Sequence, residues 1–477
     1  VTDSLATLLF APSRPVDATD VVVVDDDGET TRAQLVMAAE RTATMLEQAG
    51  VHAGSPVAVS LPDGASLVAT LFGVWRAGCV YLPVNPRLTD TERAHSFEAV
   101  RPAAVITESV GNDVSIDLVD GDPAHHDADI ALVQMTSGTT GRPKPVLLRH
   151  SGVLELMDGV LRKIRGSTSN DDRTPMPNLI PVSLSLWAGI YNVLFAFRVG
   201  AAVVVMNGFD TARFAALVEQ HGIKSTVLPP AAMTMLTDDP AIHALPPLRF
   251  VRSITAPLSP LQAHRFHDKF GIAVLNSYGQ TEIGGEIIGW NAADSREFGT
   301  TKLGAVGRPH AGVDVRVDVA SGELQVRTPA MSAGYADGAE LADRITPDGW
   351  FRTGDIGRID DDGFVWIDGR VSDMINRGGL KVFPAEVEEV LRLSPVVADV
   401  AVVGAPDSRV GEVPVAFVVP VPGSTVDPAA LEALGRAHLA PYKVPVEFRP
   451  IGVLPRNDVG KVLSRELVER VAPTADG

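Results

Sequence analysis

Residues 136–145 read Thr136-Ser-Gly-Thr-Thr-Gly-Arg-Pro-Lys144-Pro145. Gly138 and Gly141 let backbone N–H groups turn toward an anion, Thr136, Ser137, Thr139 and Thr140 bring hydroxyls, and Lys144 adds a charge. Such a segment wraps a polyphosphate with purely local donors. It is not the Gly-x-x-x-x-Gly-Lys-Ser/Thr loop, because Lys144 stands between Pro143 and Pro145. A Gly/Thr turn that holds nothing is the other reading of the same residues. Six further segments place charged or aromatic groups beside glycine. They are Tyr278-Gly-Gln-Thr-Glu282, Gly304-Ala-Val-Gly-Arg-Pro309, Gly349-Trp-Phe-Arg-Thr-Gly-Asp355, Asp368-Gly-Arg370, Gly378-Gly-Leu-Lys-Val-Phe-Pro-Ala-Glu386 and Pro455-Arg-Asn-Asp-Val-Gly-Lys461. Arg352-Thr-Gly-Asp355 reads as a tight turn that aims a carboxylate, and Lys461 sits in a Gly-Lys turn.

The elements that must position these groups follow from patterning. Short apolar, β-branched runs at 21–24, 56–61, 103–107, 131–135, 201–206, 225–228, 252–255 and 273–276 read as strands. Helical patterns at 31–49, 65–77, 89–99, 211–221 and 260–270 alternate with them, and Phe214, Leu217 and Val218 form a core-facing stripe. The alternation predicts α/β architecture with parallel sheets covered by helices, as two subdomains at 1–170 and 171–299. After residue 299, runs at 312–319, 322–327 and 363–368 separated by Gly and Asp predict a small antiparallel β-barrel subdomain at 300–370. A helix at 384–393, strands at 397–403 and 414–421 and a helix at 427–439 then predict a small α+β domain at 371–477, with a frayed end from 471.

Composition bounds the function classes. The 477 residues include 41 Lys+Arg against 59 Asp+Glu, a net charge of −18, with 45% hydrophobic and 21% charged residues. This excludes disordered and fibrous classes and argues against nucleic acid or an anionic membrane as partner. The single cysteine, Cys79, allows no internal disulfide or Cys-based zinc site and reads as an inert core thiol. Residues 187–206 are apolar but contain Asn192, Arg198 and Gly200, so a buried helix followed by a strand is expected, not a membrane span. The first residues carry no basic stretch followed by an apolar core, and a cytoplasmic protein is the expectation.

With the seven segments in this order, the chain resembles the adenylate-forming superfamily of acyl- and aryl-CoA ligases, peptide-synthetase adenylation domains and luciferases. The resemblance covers nearly the whole chain. It implies a large N-terminal AMP-binding domain at 1–370 and a mobile lid at 371–477. It also implies an ATP- and Mg²⁺-dependent reaction of a small carboxylic acid, which forms an acyl-adenylate and then a thioester with CoA or a carrier-protein pantetheine. By this resemblance Lys461 bridges the carboxylate and the α-phosphate, Glu282 binds the metal and Thr281 contacts phosphate. ATP and AMP are held by Thr136, Ser137, Gly138, Thr139, Thr140, Gly141, Lys144, Ala256, Tyr278, Gly279, Asp355 and Arg370, the last two on the ribose and Tyr278 against adenine. Trp187, Tyr191, Ser277, Ile283 and Gly284 form the acyl pocket, Gly378 and Gly379 the CoA channel, and Ser372 the hinge.

Several positions depart from the family pattern. Pro145 stands for a Gly, Thr255 for a Gly, Thr328 for a Gly, and Leu186 near the place of a His, while the pivot is Ser372 where Asp or Lys is common. Asp210 fits a helix N-cap better than an amine anchor. The apolar and small pocket candidates suit an aliphatic, aryl or polycyclic acid. Glu286 is either solvated or selects a polar group, and no Arg cluster demands a diacid, with Arg198 and Arg252 left open. A stand-alone acid–CoA ligase, monomeric or homodimeric, is the leading expectation. An enzyme that loads a separate carrier protein and a catalytically decayed acyl- or nucleotide-binding homologue are its rivals.

Overall fold

The computed structural model describes residues 4–110, 113–136, 143–165, 175–299, 301–302, 304–338, 341–456 and 462–471. Among them the longest sheet runs Gly334–Tyr335, Lys144–Arg149, Ile130–Thr136, Val80–Pro83, Pro56–Val59, Ala104–Val110, Asp113–Leu118. Its inner strands pair in parallel, and its margins turn antiparallel. Pro56–Val59 and Val80–Pro83 are buried at every position, as strands covered on both faces must be. The helix Ala65–Arg76 beside them is buried continuously from Leu67 to Trp75. Cys79 lies in this core, 1% exposed, and burial pushes its thiol up to about 11, with Glu47 adding to the rise.

Gly28–Thr31, Val21–Asp25, Val203–Val205 and Asn178–Ile180 make a second sheet. Strands from 1–170 and from 171–299 are therefore joined side by side in one sheet, with Val23 and Val24 in parallel register with Val203 and Val204. Ser225–Leu228, Phe250–Ser253 and Ala273–Leu275 form a parallel sheet. The helix Thr211–Gln220 packs Phe214, Leu217 and Val218 inward. The expected strand at 252–255 ends instead at Ser253, because Thr255 turns the chain with φ of 72°. The apolar run from 187 divides as expected: the helix Trp187–Val199 stops at Gly200, left-handed with φ of 73°, before Val203–Val205. Among the described residues no helix is long and apolar enough to cross a membrane.

The last large sheets are antiparallel. Asp314–Val317, Glu323–Arg327, Phe351–Ile359 and Val365–Arg370 form a four-stranded half-barrel. Beyond it, Leu380–Val382, Ile375–Arg377, Gly411–Pro420 and Val397–Asp407 form a sheet to which Glu447–Pro450 adds in parallel. Among the described residues, buried apolar clusters stop at Val365 and resume at Ile375, and none spans residue 370. A cleft of about 2290 Å³ lies between the two sets.

Candidate active site

Of the residues expected on the nucleotide side, Tyr278 and Arg370 converge on Asp355. Arg352-Thr-Gly-Asp355 is not an isolated turn but part of the strand Phe351–Ile359, which kinks at Gly354, φ 75°. Glu323, buried on the adjacent strand, accepts from the Gly354 amide at 2.8 Å and pairs with Arg352 at 3.1 Å, which holds the kink. Asp355 lies directly across from Arg370 in the ladder. Its Oδ1 accepts from Arg370 Nε at 3.0 Å, and its Oδ2 accepts from the Tyr278 hydroxyl and Gln280 Nε2, both at 2.6 Å. The carboxylate is 3% exposed, so these charge-assisted bonds act in a desolvated place. Burial pushes the Tyr278 hydroxyl well above its ordinary range, and the charge of Asp355 and the bond to it push the same way, which keeps it a donor.

Tyr278 and Gln280 point together because they are two apart on the strand Ser277–Gln280. That strand pairs with Gly285–Gly289 so closely that a Cβ on Gly279 would lie 1.8 Å from the Gly285 carbonyl oxygen. Thr281 begins a short 3₁₀ turn, Thr281–Ile283. Glu282 on this turn accepts from Arg344 Nη1 at 3.2 Å, and Arg344 also donates to the Gln280 side chain and the Thr353 carbonyl. Gln280 and Arg344 were not singled out by sequence. Gln280 was legible from its two-residue spacing to Tyr278, whereas Arg344 comes from a segment with no motif or period.

The strand Ile130–Thr136 pairs back on Lys144–Arg149, with Thr136 opposite Lys144, so the Gly/Thr segment connects a hairpin. Ser137, Gly138, Thr139, Thr140 and Gly141 lie outside the described residues, as does Lys461. Lys144 Nζ sits 5.2 Å from the ring centre of Tyr335, a cation–π distance. Pro145, with no N–H to give, accepts through its carbonyl from Ala336.

Thr136, Ala256, Tyr278, Gly279, Thr281, Asp355, Arg370 and Ser372 line the cleft. So do the acyl candidates Trp187, Tyr191 and Ser277. Ile283 and Gly284 are corrections: Ile283 is fully buried in the main core, and Gly284 packs against Ala330 and gives its carbonyl to Trp187 Nε1 at 2.9 Å. Leu186 lines the cleft from the N-cap of the Trp187–Val199 helix. Asp210 is the N-cap of Thr211–Gln220 and accepts from Arg213 N, as expected. Arg198 is committed to Asp158 and Ser13.

Glu286 is not solvated. Its Oε1 accepts from Arg252 Nη1 and His310 Nε2, both at 3.1 Å, and its side chain is 11% exposed. Burial alone would raise this carboxyl, but Arg252, the His310 bond and Lys163 outweigh it and bring it down to about 2. Lys163 donates to the Gly289 and Arg308 carbonyls, and burial lowers it to about 8 against the pull of Asp294 and Glu286. The distant sequence positions of these four side chains hid the cluster from sequence reading.

Ser372 occupies a one-turn 3₁₀ segment, Val371–Asp373, exposed and bonded to Asp373 at 2.8 Å. Gly378 and Gly379 form the tip of a two-residue hairpin between Arg377 and Leu380, with φ of 61° and 89°, as its handedness requires. That tip is exposed and does not line the cleft.

Comparison with known proteins accounts for this arrangement. The AMP-binding enzyme profile matches residues 11–336, and the AMP-binding enzyme C-terminal domain profile matches residues 386–461. An indoleacetate–CoA ligase of Aromatoleum aromaticum is 32% identical, the alignment covering 92% of this chain and 93% of that protein. A fatty acid–[acyl-carrier-protein] ligase, ScoC, of Streptomyces coeruleorubidus is 31% identical over 93% and 92%. The crystal structure of ATP-bound MatB from Rhodopseudomonas palustris superposes with a TM-score of 0.86 at 25% identity, covering 98% of this chain and 99% of that one. On these matches, over nearly its whole length, the chain belongs to the AMP-binding enzymes of the adenylate-forming superfamily.

Proposed function

We propose that the chain is an ATP-dependent carboxylic acid–CoA ligase. The observation that carries this reading is the buried Asp355 carboxylate with Tyr278, Gln280 and Arg370 around it, in the same cleft as the acyl candidates Trp187 and Tyr191. In the first step an acid oxygen attacks the α-phosphorus of ATP; the bond to the bridging oxygen breaks and pyrophosphate leaves with its electron pair. In the second the CoA thiol, giving up its proton, attacks the acyl carbon, and AMP departs. Asp355 and Arg370 take the ribose hydroxyls, Tyr278 and Ala256 flank the purine, and Thr136 through Gly141 with Lys144 wrap the phosphates. Lys461 adds charge at the reacting oxygens.

Glu282 fits Mg²⁺ by the chemistry of its donor: a carboxylate oxygen is what this hard ion takes, and here it is held in place by Arg344 at 3.2 Å. When bound, the ion neutralises phosphate charge. Glu282 is meanwhile held by Arg344, which keeps its oxygen oriented. The division at 370, where the apolar clusters separate, supports a lid at 371–477 that turns about Ser372 and brings the Gly378–Gly379 tip to the cleft for the thiol step.

The test is ATP–pyrophosphate exchange over a panel of acids, followed by mass detection of acyl-CoA. Exchange with acyl-CoA formation supports the reading; exchange with acylation of a carrier protein and none of CoA replaces it with the second reading, which the ScoC match favours. No exchange with any acid leaves a ligand-binding homologue.

A further inference from the structure

The acyl side of the cleft is not simply apolar. Trp187, Tyr191 and Phe195 repeat at every fourth position of the helix Trp187–Val199 and all line the cleft. Their rings stand 5.8 and 6.3 Å apart in sequence order, an aromatic wall suited to a flat or ring-bearing body. Arg252 and Glu286 line the same cleft.

The protein satisfies Glu286 and leaves Arg252 with donors to spare. Glu286 already takes Arg252 Nη1 on both oxygens, at 3.1 and 3.3 Å, and His310 Nε2 on one. Among the described residues Arg252 engages only through Nη1; its Nε and Nη2 bond to nothing. The Tyr191 hydroxyl is buried and has no hydrogen-bond partner among the described residues. The Tyr191 hydroxyl is costly to leave unpaired in so desolvated a place, whereas Arg252, 23% exposed, presents its spare donors to the open cleft. Charge points the same way. Arg252, Lys163 and Arg308 face Glu286 and Asp294, and Arg308 pairs with Asp294 at 2.7 Å, so the shell holds one more cation than anion. His310 adds no charge, since burial lowers it below its ordinary range despite its bond to Glu286.

Resting on the ligase reading, we propose that Arg252, held by Glu286, and Tyr191 form a binding point for an oxygen of the acyl group other than its reacting carboxylate. The substrate class is then a ring-bearing acid with a second oxygen acceptor, a ketone, hydroxyl or carboxylate, remote from the reacting end. An amine is disfavoured, because the charge of Glu286 is already matched by Arg252, with which it pairs at 3.1 Å.

The experiment compares ring acids that differ only in the remote group (hydrogen, hydroxyl, keto or carboxylate) in ATP–pyrophosphate exchange. The oxygenated acids are expected to exceed the bare acid in kcat/KM by roughly 10- to 100-fold, the range of a hydrogen bond to a charged group. A higher rate for the carboxylate than the ketone identifies the oxygen as charged; the reverse order identifies it as neutral; both support the binding point. Tyr191→Phe and the paired Arg252→Met with Glu286→Gln should shrink that preference at least tenfold, through the KM of the acid and not of ATP. The pair removes both charges together, and Tyr191→Phe keeps the ring, so folding is checked against a second variant by thermal melting. Exchange as fast with the bare acid, or a preference unmoved in both folded variants, overturns the inference while leaving the ligase reading standing. No exchange with any acid removes both.

Discussion

The carboxylate of Asp355 holds three protein donors, and a ribose must share or displace them. Asp355→Ala strands Arg370 and leaves the Tyr278 hydroxyl without its acceptor, while Gln280 keeps the Thr353 carbonyl. A charge-assisted hydrogen bond is worth about 1.5–3 kcal/mol, so the KM for ATP should rise roughly 10- to 100-fold, measured in exchange at saturating acid. An unchanged KM would contradict the ribose role. Asp355 was singled out because Gly349–Asp355 is a signature; its setting was not legible. A strand with a kink and a tight turn share the letters Arg-Thr-Gly-Asp, and only Glu323, brought from the neighbouring strand, decides between them. Glu286 was undecidable for a related reason. Whether a carboxylate is solvated depends on what surrounds it, and residues 163, 252 and 310 are assembled by tertiary folding alone.

Elements were legible where local chemistry set them. Thr31 with Gln34, Thr89 with Glu92 and Ser259 with Gln262 each form a capping box, and these helices begin where the sequence places them, to within one residue. Strand ends were less so: the left-handed Thr255 ends its strand early, a conformation a β-branched residue adopts only when its surroundings force it. One helix start carries a pH dependence. His150 opens the helix His150–Arg165, is buried, accepts from Leu5 N at 3.2 Å, and has its ring 5.6 Å from that of Trp75. Burial pushes it down to about 4, against a weaker pull from Asp129. Unfolded His titrates near its ordinary 6.5, so as pH falls from about 6.5 toward 4 the unfolded chain takes up a proton that the folded one refuses. Stability is fully present above this window and falls within it, by roughly 3 kcal/mol at most for this group. His150→Asn keeps an acceptor at the Nδ1 position and should flatten that part of a urea-unfolding pH profile; an unaltered slope would assign it elsewhere.

At the scale of the molecule, a net charge of −18 is compatible with the proposed polyphosphate site because that site needs only local cations: Lys144, Arg344 and Arg370 on the large part and Lys461 beyond residue 370. The apolar clusters separate at 370, and in the function proposed above the two parts divide the labour of the two steps. Lys461→Ala should abolish pyrophosphate exchange yet leave thioester formation from supplied acyl-adenylate. Equal loss of both would refute the alternation. The tandem of α/β sheets, half-barrel and α+β unit was legible from alternation and texture. The parallel seam between the strands near residues 21 and 203 was not, because parallel pairing joins segments with no shared local signal.

The short strand Gly334–Tyr335 lies along the outer side of Lys144–Arg149, with Gly334 opposite Leu147 and Tyr335 opposite Val146. The hairpin proposed to carry the phosphate segment is thus no free margin; it is zipped to a segment that starts nearly 200 positions later, and Lys144 rests on that segment's ring. A nucleotide that draws Lys144 inward must loosen the Tyr335 contact. Amide deuterium uptake at residues 334–336 should therefore report occupancy of the phosphate site, rising when ATP binds even as the cleft around Asp355 becomes more protected; slowed uptake in both places would mean that the zip tightens instead.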